Sequence, residues 1–387
     1  MVENLKTNHY VKEYLDDGRL LLSFDNGKRV RVTPIVEEII KKFDGTKSIN
    51  KVKNELNNEG FEISESELED LINNRLIMTG VFSEYNESSQ YKFWFHLPII
   101  DGDKLKMILP GFIFKPTLII ILSIIYCVIS LKYIKEFNWI YFINGINSIN
   151  YFLFFISFGL IFVVHELGHI YSSKSLDCKV GNIGIGVYMF RPVMYVNLSD
   201  SWKLSNKKRL IIDFAGIYLQ MLVGLFMYFF SAVMIRNNTM DALIIFNLIL
   251  IIFNLNPFLR LDGYWILSDF IDEPNIHGRS MKLLNYIYNE KIYNKRKAYT
   301  MESSKCVKVY SLMYALVNLI IIIFGIIRVL EVVFGKRNLL ESIRLLFYGE
   351  LFLFQRIKIG ANLIIDIISL VYISLLFVKI IKNIKNS

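Results

Sequence analysis

Residues 151–169 read YFLFFISFGLIFVVHELGH, an apolar run that stops abruptly at ionisable side chains. From Phe137 to Val164 there are 28 residues without a charge, enough for a short turn outside a membrane and one full span. The run ends in His165-Glu166-Leu167-Gly168-His169. Helical residues four apart differ by about 40° in azimuth, so both imidazoles project from one face and can ligate a single Zn2+. Glu166 stands beside them; a carboxylate held there without binding the metal can take a proton from an attacking water and pass it to a leaving amine. A chain of this composition would supply on the order of 0.003 such matches by chance. Three ionisable side chains at the edge of hydrocarbon are costly when unpaired, so such residues mark a functional site by default.

The composition around this stretch is that of a membrane chain. Of 387 residues, 53% are hydrophobic and 20% charged, with a mean hydropathy of +0.40. Soluble domains average roughly 45–50% apolar and about 25% charged. Disorder and collagen-like repeats are excluded. Cys127, Cys178 and Cys306 make neither a disulfide framework nor a Cys-x-x-Cys pair, which leaves His and carboxylate as the metal-binding chemistry. Beside the span inside 137–164, others are expected at Thr117–Leu131, Leu210–Ile235, Ala242–Phe258, Leu312–Leu330 and Leu363–Val378, about six in all. Leu339–Phe354 carries Glu341, Arg344 and Glu350 and reads as an interfacial helix.

The net charge of +9 divides unevenly: residues 1–80 carry −3 and the remainder +12. Lys and Arg crowd the connectors after the second and fourth spans, while the turn between the third and fourth holds only Arg236. These biases put both basic connectors, the polar N-terminal region and the zinc motif on the cytosolic side of a cell membrane. Lys336, Arg337, Arg356 and Lys358 run against this assignment. The first residues are polar and lack an apolar run, so no signal peptide is expected there.

A catalytic zinc needs a third protein ligand and an open position. His9, His96 and His277 lie away from the span ends, whereas Asp262 follows the fourth span on the same side, in Asn254-Leu255-Asn256-Pro257-Phe258-Leu259-Arg260-Leu261-Asp262-Gly263. Pro257 and Gly263 break the helix there, and irregular backbone at membrane depth is tolerated only where it lines protein or a wet cavity. Asp262 is the expected third ligand. Asn254 is an amide donor that can stabilise an oxyanion near such a metal. Between the second and third spans, Val180–Val196 reads as two β-rich stretches, able to hold an extended peptide by strand addition.

A His-Glu-x-x-His in a membrane helix followed by a Leu-Asp-Gly resembles the site-2 protease family of intramembrane zinc metallopeptidases, over roughly residues 110 to 270. The resemblance implies that His165, His169 and Asp262 bind zinc, that Glu166 is the catalytic base and that Asn254 steadies the substrate carbonyl. The family's Gly-Pro-x-x-Asn on the third core helix is replaced here by Gly216-Ile217-Tyr218-Leu219-Gln220, which leaves Gln220 without an assigned role.

In the acidic N-terminal region, Leu20–Phe24 and Arg29–Val32 flank Asp25-Asn26-Gly27, a hairpin turn signal. Thr33-Pro34 opens a first helix ending at Asp44-Gly45, Ser48 caps a second, and Ser64 with Glu67 forms a capping box for a third; Leu76–Met78 reads as strand. This winged-helix-like α+β unit resembles PqqD-like domains that bind leader peptides of ribosomally made, modified peptides. That resemblance implies leader pairing along Arg29–Val32 and the helix over Ser64–Arg75. A charge of −3 lacks the basic face that nucleic acid requires.

The expected organisation is a recognition domain over 1–82, a linker and interfacial segment over 83–108, a catalytic membrane core over 109–270, a cytosolic connector over 271–310 and C-terminal transmembrane helices over 311–387. The expected activity is zinc endopeptidase cleavage of a leader-bearing precursor peptide within the lipid bilayer, alongside a peptide-modifying enzyme and an exporter. Two rivals stand beside it: proteolysis of a membrane-bound regulator such as an anti-sigma factor, and a non-catalytic module for peptide immunity or export.

Overall fold

The computed structural model describes residues 5–15, 18–25, 29–61, 63–76, 81–83, 95–188, 191–233, 237–273, 275–291, 304–335, 338–348 and 353–385. At the N-terminus, β1 (Tyr10–Tyr14), β2 (Leu20–Phe24) and β3 (Arg29–Val32) form an antiparallel meander in the order β1-β2-β3. The β2–β3 pairing is the one the sequence indicates; its turn residues 26–28 lie outside the described residues, and β1 is an addition. Three helices close the sheet: α1 (Pro34–Lys41), α2 (Ile49–Asn58) and α3 (Glu65–Asp70). Their starts follow the expected caps, since Thr33, Ser48 and Ser64 accept from the amides of Val36, Lys51 and Glu67, and Glu67 completes its capping box. The first helix stops at Lys41 rather than Asp44. Leu20, Leu22 and Phe24 meet Ile40, Val52, Leu56, Leu68, Ile72 and Phe82 in one apolar core. Leu76 does not begin a strand: it ends a π-helical turn, Leu71–Leu76, that extends α3 and buries Ile72 and Leu76; residues 77–78 lie outside the described residues.

Among the described residues, five helical segments are long and apolar enough to cross a membrane: α4 (Pro116–Glu136), α6 (Tyr151–Ser175), α7 (Asn206–Val233), α11 (Lys305–Val333) and residues 358–375 within α13 (Leu353–Lys385). A sixth apolar helix, α8 (Asn238–Asn254), has 17 residues, about 25 Å of rise against a hydrocarbon thickness of about 30 Å. The short α5 (Trp139–Asn144) fills the turn before α6, and α12 (Leu339–Tyr348) is a short helix packed against α13, with Leu346 beside Gly360. Helices α4, α6, α7 and α8 share a core built on Tyr126, Phe154, Ile217, Met221, Tyr228 and Ile244. A polar knot closes one end of this bundle: Asn238 donates to the Gly145 carbonyl at 2.9 Å, and Tyr133 donates to Asp241 at 2.6 Å.

The opposite end carries the connectors. There β5 (Asn182–Tyr188) and β6 (Arg191–Val196) pair antiparallel as expected, with Ile183 opposite Val196. The segment assigned as linker contributes a third strand, β4 (Phe95–Asp101), against β5; the register shifts between Pro98 and Ile100, where proline lacks the donor a regular ladder needs. Beyond α8 the chain turns into α9 (Asp262–Phe270) and α10 (Ile276–Lys291). The N-terminal sheet rests on these connectors. Arg29 donates to the Ser199 carbonyl at 2.7 Å, Arg31 to the Trp202 carbonyl at 2.9 Å, and Arg19 pairs with Asp272 at 3.0 Å.

Candidate metal centre

Helix α6 carries no charged residue from Tyr151 to Val164 and becomes ionisable at His165, at the end that meets α7 and Asp262. Gly168 lets α6 approach α7 so closely that an added Cβ would strike the Ala215 carbonyl. This contact buries His165 and His169. Asp262, at the first position of α9, reaches the same point: its Oδ2 lies 2.9 Å from His165 Nε2 and 3.5 Å from His169 Nε2, and the two Nε2 atoms are 3.3 Å apart. Among the described residues this is the one group of three or more His, Cys, Asp or Glu side chains close enough to hold a metal ion.

The hydrogen bonds behind the imidazoles show what the site holds. His169 Nδ1 is 2.8 Å from the Ile212 carbonyl oxygen, which can only accept, so Nδ1 carries the proton and Nε2 of the neutral ring has a lone pair. His165 Nδ1 lies 3.1 Å from Gln220 Oε1 and is fixed in the same sense. With both rings neutral, two lone pairs and a buried carboxylate oxygen that has no hydrogen-bond partner converge on one point, an arrangement that a bound cation would satisfy. Donors about 2.05 Å from a tetrahedral zinc would be about 3.3 Å apart, and the observed separations of 2.9, 3.3 and 3.5 Å bracket that value. The donor set of two His and one Asp suits zinc, and the Ile212 carbonyl and Gln220 amide oxygens accept from the ring nitrogens that face away from it, as a zinc-binding histidine needs.

Glu166 lies within electrostatic reach of all three side chains and forms no hydrogen bond or ion pair among the described residues. It is half-buried and uncommitted, as a proton carrier must be. Asn254 is the last residue of α8; its carbonyl packs against Gly263, beside Asp262, while its side chain makes no hydrogen bond among the described residues. The remaining histidines are elsewhere: His9 faces Asp25, His96 lies on β4 opposite Gly186, and His277 packs edge-on against Tyr314 at 4.8 Å. Burial lowers the His277 pKa.

Motif reading left Gly216 with a packing role alone and Gln220 with none. Gly216 faces both imidazoles, and a Cβ there would collide with both Nε2 atoms. Gln220, unassigned from sequence, orients His165. Their signal was periodic: Arg209, Asp213, Gly216 and Gln220 are spaced 4, 3 and 4 residues, one stripe of α7 that interrupts an apolar span.

Residues 153–242 match the model of Peptidase family M50. Over 135 residues the chain is 28% identical to a protein of Bacillus subtilis (strain 168) named "Putative peptide zinc metalloprotease protein YydH", a match covering 33% of this chain and 53% of the relative. The chain thus spans about half the length of the curated relative it matches. No solved structure matches it. The stretch similar to Peptidase family M50 takes in His165, Glu166, His169, Gly216 and Gln220.

Proposed function

We propose that this protein is a multi-pass membrane zinc endopeptidase of site-2 type, held by His165, His169 and Asp262, with Glu166 as the catalytic base. The carrying observation is the convergence of two imidazole nitrogens and a carboxylate oxygen beside an uncommitted carboxylate. When bound, zinc supplies Lewis acidity: it polarises a carbonyl and brings the pKa of water to about 7. Glu166 accepts a proton from the attacking water as the new C–O bond forms and returns it to the amide nitrogen as the C–N bond breaks. Gln220 and the Ile212 carbonyl keep each imidazole in its metal-binding tautomer. Asn254 donates to the substrate carbonyl oxygen, and apolar helices around the site limit water to what the reaction consumes.

The substrate proposed is a ribosomally made, modified precursor peptide captured through its leader in the cytosol, with the modifying enzyme and exporter of the same peptide as further partners. Support comes from the acidic sheet-and-helix unit docked directly on the connector that precedes α7. A leader paired along β3 would lie against that connector, and an extended peptide reaching the site could add to the β4-β5-β6 sheet. The test uses the full chain purified in detergent with a leader-bearing precursor. Wild type should hold about one zinc per chain and cleave. Glu166→Gln should keep the zinc and lose cleavage by a factor on the order of 10^3 or more. Unchanged cleavage by Glu166→Gln would remove the enzyme reading.

A further inference from the structure

The stripe on α7 continues past the metal centre to a second buried cluster. Arg209, in the first turn of α7, donates through Nε to Asp269 Oδ2 at 2.7 Å and through Nη2 to the other carboxylate oxygen. Both residues are buried, and the guanidinium also stacks over Trp202, 4.9 Å from the ring centroid. Asp269 belongs to α9, whose first residue is Asp262. Seven residues separate Asp262 from Asp269 on α9, and seven separate Arg209 from Gly216 on α7. Seven helical residues are about 10.5 Å and nearly two full turns, so the two α9 carboxylates share one face, as do Arg209 and Gly216. The helices run antiparallel, with the Arg209–Asp269 pair at one end of their contact and Gly216 with the metal ligands at the other. A slip of one residue would move α9 by about 1.5 Å and turn Asp262 by about 100°, out of the site. A bidentate pair resists that slip, because a planar fork accepts one geometry.

This clamp also touches the N-terminal sheet. Asn206 Oδ1 accepts from Arg209 Nη2 at 3.1 Å and from Arg31 Nη1 of β3 at 2.8 Å. The Leu204 carbonyl accepts from Arg31 as well, and from Arg209 at 3.5 Å. Asn206 Nδ2 in turn donates to Asp272 at 2.6 Å, two residues after α9, and Asp272 receives Arg19 of the N-terminal unit. Every path from the sheet to α9 among these contacts passes through residues 204–209 or Asp272.

We propose that Arg209 and Asp269 are positioning residues that set the register of α9 and hence Asp262, and that the N-terminal sheet reinforces this setting through Arg31 and Asn206. The inference rests on the metal-centre reading. It makes zinc affinity depend on a domain that touches none of the ligands.

The test is zinc affinity of the full-length protein in detergent, by chelator competition, together with the visible spectrum of the cobalt-substituted form. Asp269→Asn and Arg209→Gln should each weaken zinc about 10- to 100-fold and alter the cobalt band, while Arg209→Lys retains part of the affinity. Arg31→Ala should weaken zinc by a smaller factor, and its effect should vanish in the Arg209→Gln background, the coupling a double-mutant cycle isolates. Monodisperse elution and an unchanged helical circular dichroism spectrum identify variants that have folded. Wild-type affinity and spectrum in folded Asp269→Asn would overturn the clamp; an Arg31→Ala effect of zero, or one that adds fully to Arg209→Gln, would overturn the link to the sheet. Wild-type protein that binds no zinc, with His165→Ala indistinguishable from it, would instead overturn the metal-centre reading.

Discussion

At the scale of single residues, the metal centre depends as much on a missing side chain as on the ligands. Gly216 leaves the space into which both Nε2 atoms project. Gly216→Ala is expected to cut zinc content well below one per chain, because rigid imidazoles held from behind by Ile212 and Gln220 cannot step aside. Metal analysis of the purified variant beside wild type checks this, and full zinc occupancy would show that the rings can yield. The shared face of His165 and His169 was legible in the sequence because a four-residue spacing alone fixes it, with Glu166 next to it along the chain. Asp262 was legible from its place after a helix break. The roles of Gly216 and Gln220 were not, since each depends on which neighbour α7 packs against.

At the scale of elements, caps and turns followed local chemistry: Thr33, Ser48 and the Ser64–Glu67 box all cap where the sequence puts them. Strand β1 was missed because its side chains are largely exposed and lack an alternating apolar face. It nevertheless supplies Tyr10, whose hydroxyl donates at 2.8 Å to Glu37, a buried carboxylate on α1 that also pairs with Lys41 at 3.1 Å. Burial alone would raise the Glu37 pKa, but the bonds from Tyr10 and Lys41 outweigh it and hold the carboxyl below its ordinary value. A lowered folded-state pKa stabilises above the unfolded value, near about 4.3, and that contribution is lost as pH falls through the folded one. Protection of the β1–α1 amides in hydrogen exchange should therefore be level above about pH 5 and decline on acidification below about pH 4. Glu37→Gln should cost about 1–3 kcal/mol at neutral pH and flatten that decline. An unchanged acid profile in the variant would assign the effect to other groups.

For the whole molecule, the N-terminal unit meets the connectors through Arg19, Arg29 and Arg31. Arg29 bonds the Ser199 carbonyl at 2.7 Å and lies 3.6 Å from Asp200, both side chains being part-exposed. Partly exposed pairs are screened by salt. Exchange of the 199–206 amides should rise between low and 0.5 M salt, and Arg29→Ala should raise it already at low salt; salt-independent protection would mean that apolar contacts hold the units together. What the sequence determined by itself was local or statistical: helix periodicity, caps, the number of apolar runs and the shared face of His165 and His169, all set by residues within a few positions of each other. What only the tertiary structure decided was convergence. Asp262 stands 93 residues beyond His169, the linker strand β4 joins a sheet nearly ninety residues away, and β3 reaches Asn206 across 175 positions. Such pairings depend on how helices cross and which strand edges remain free, and those are properties of the packed chain that no short window of sequence contains.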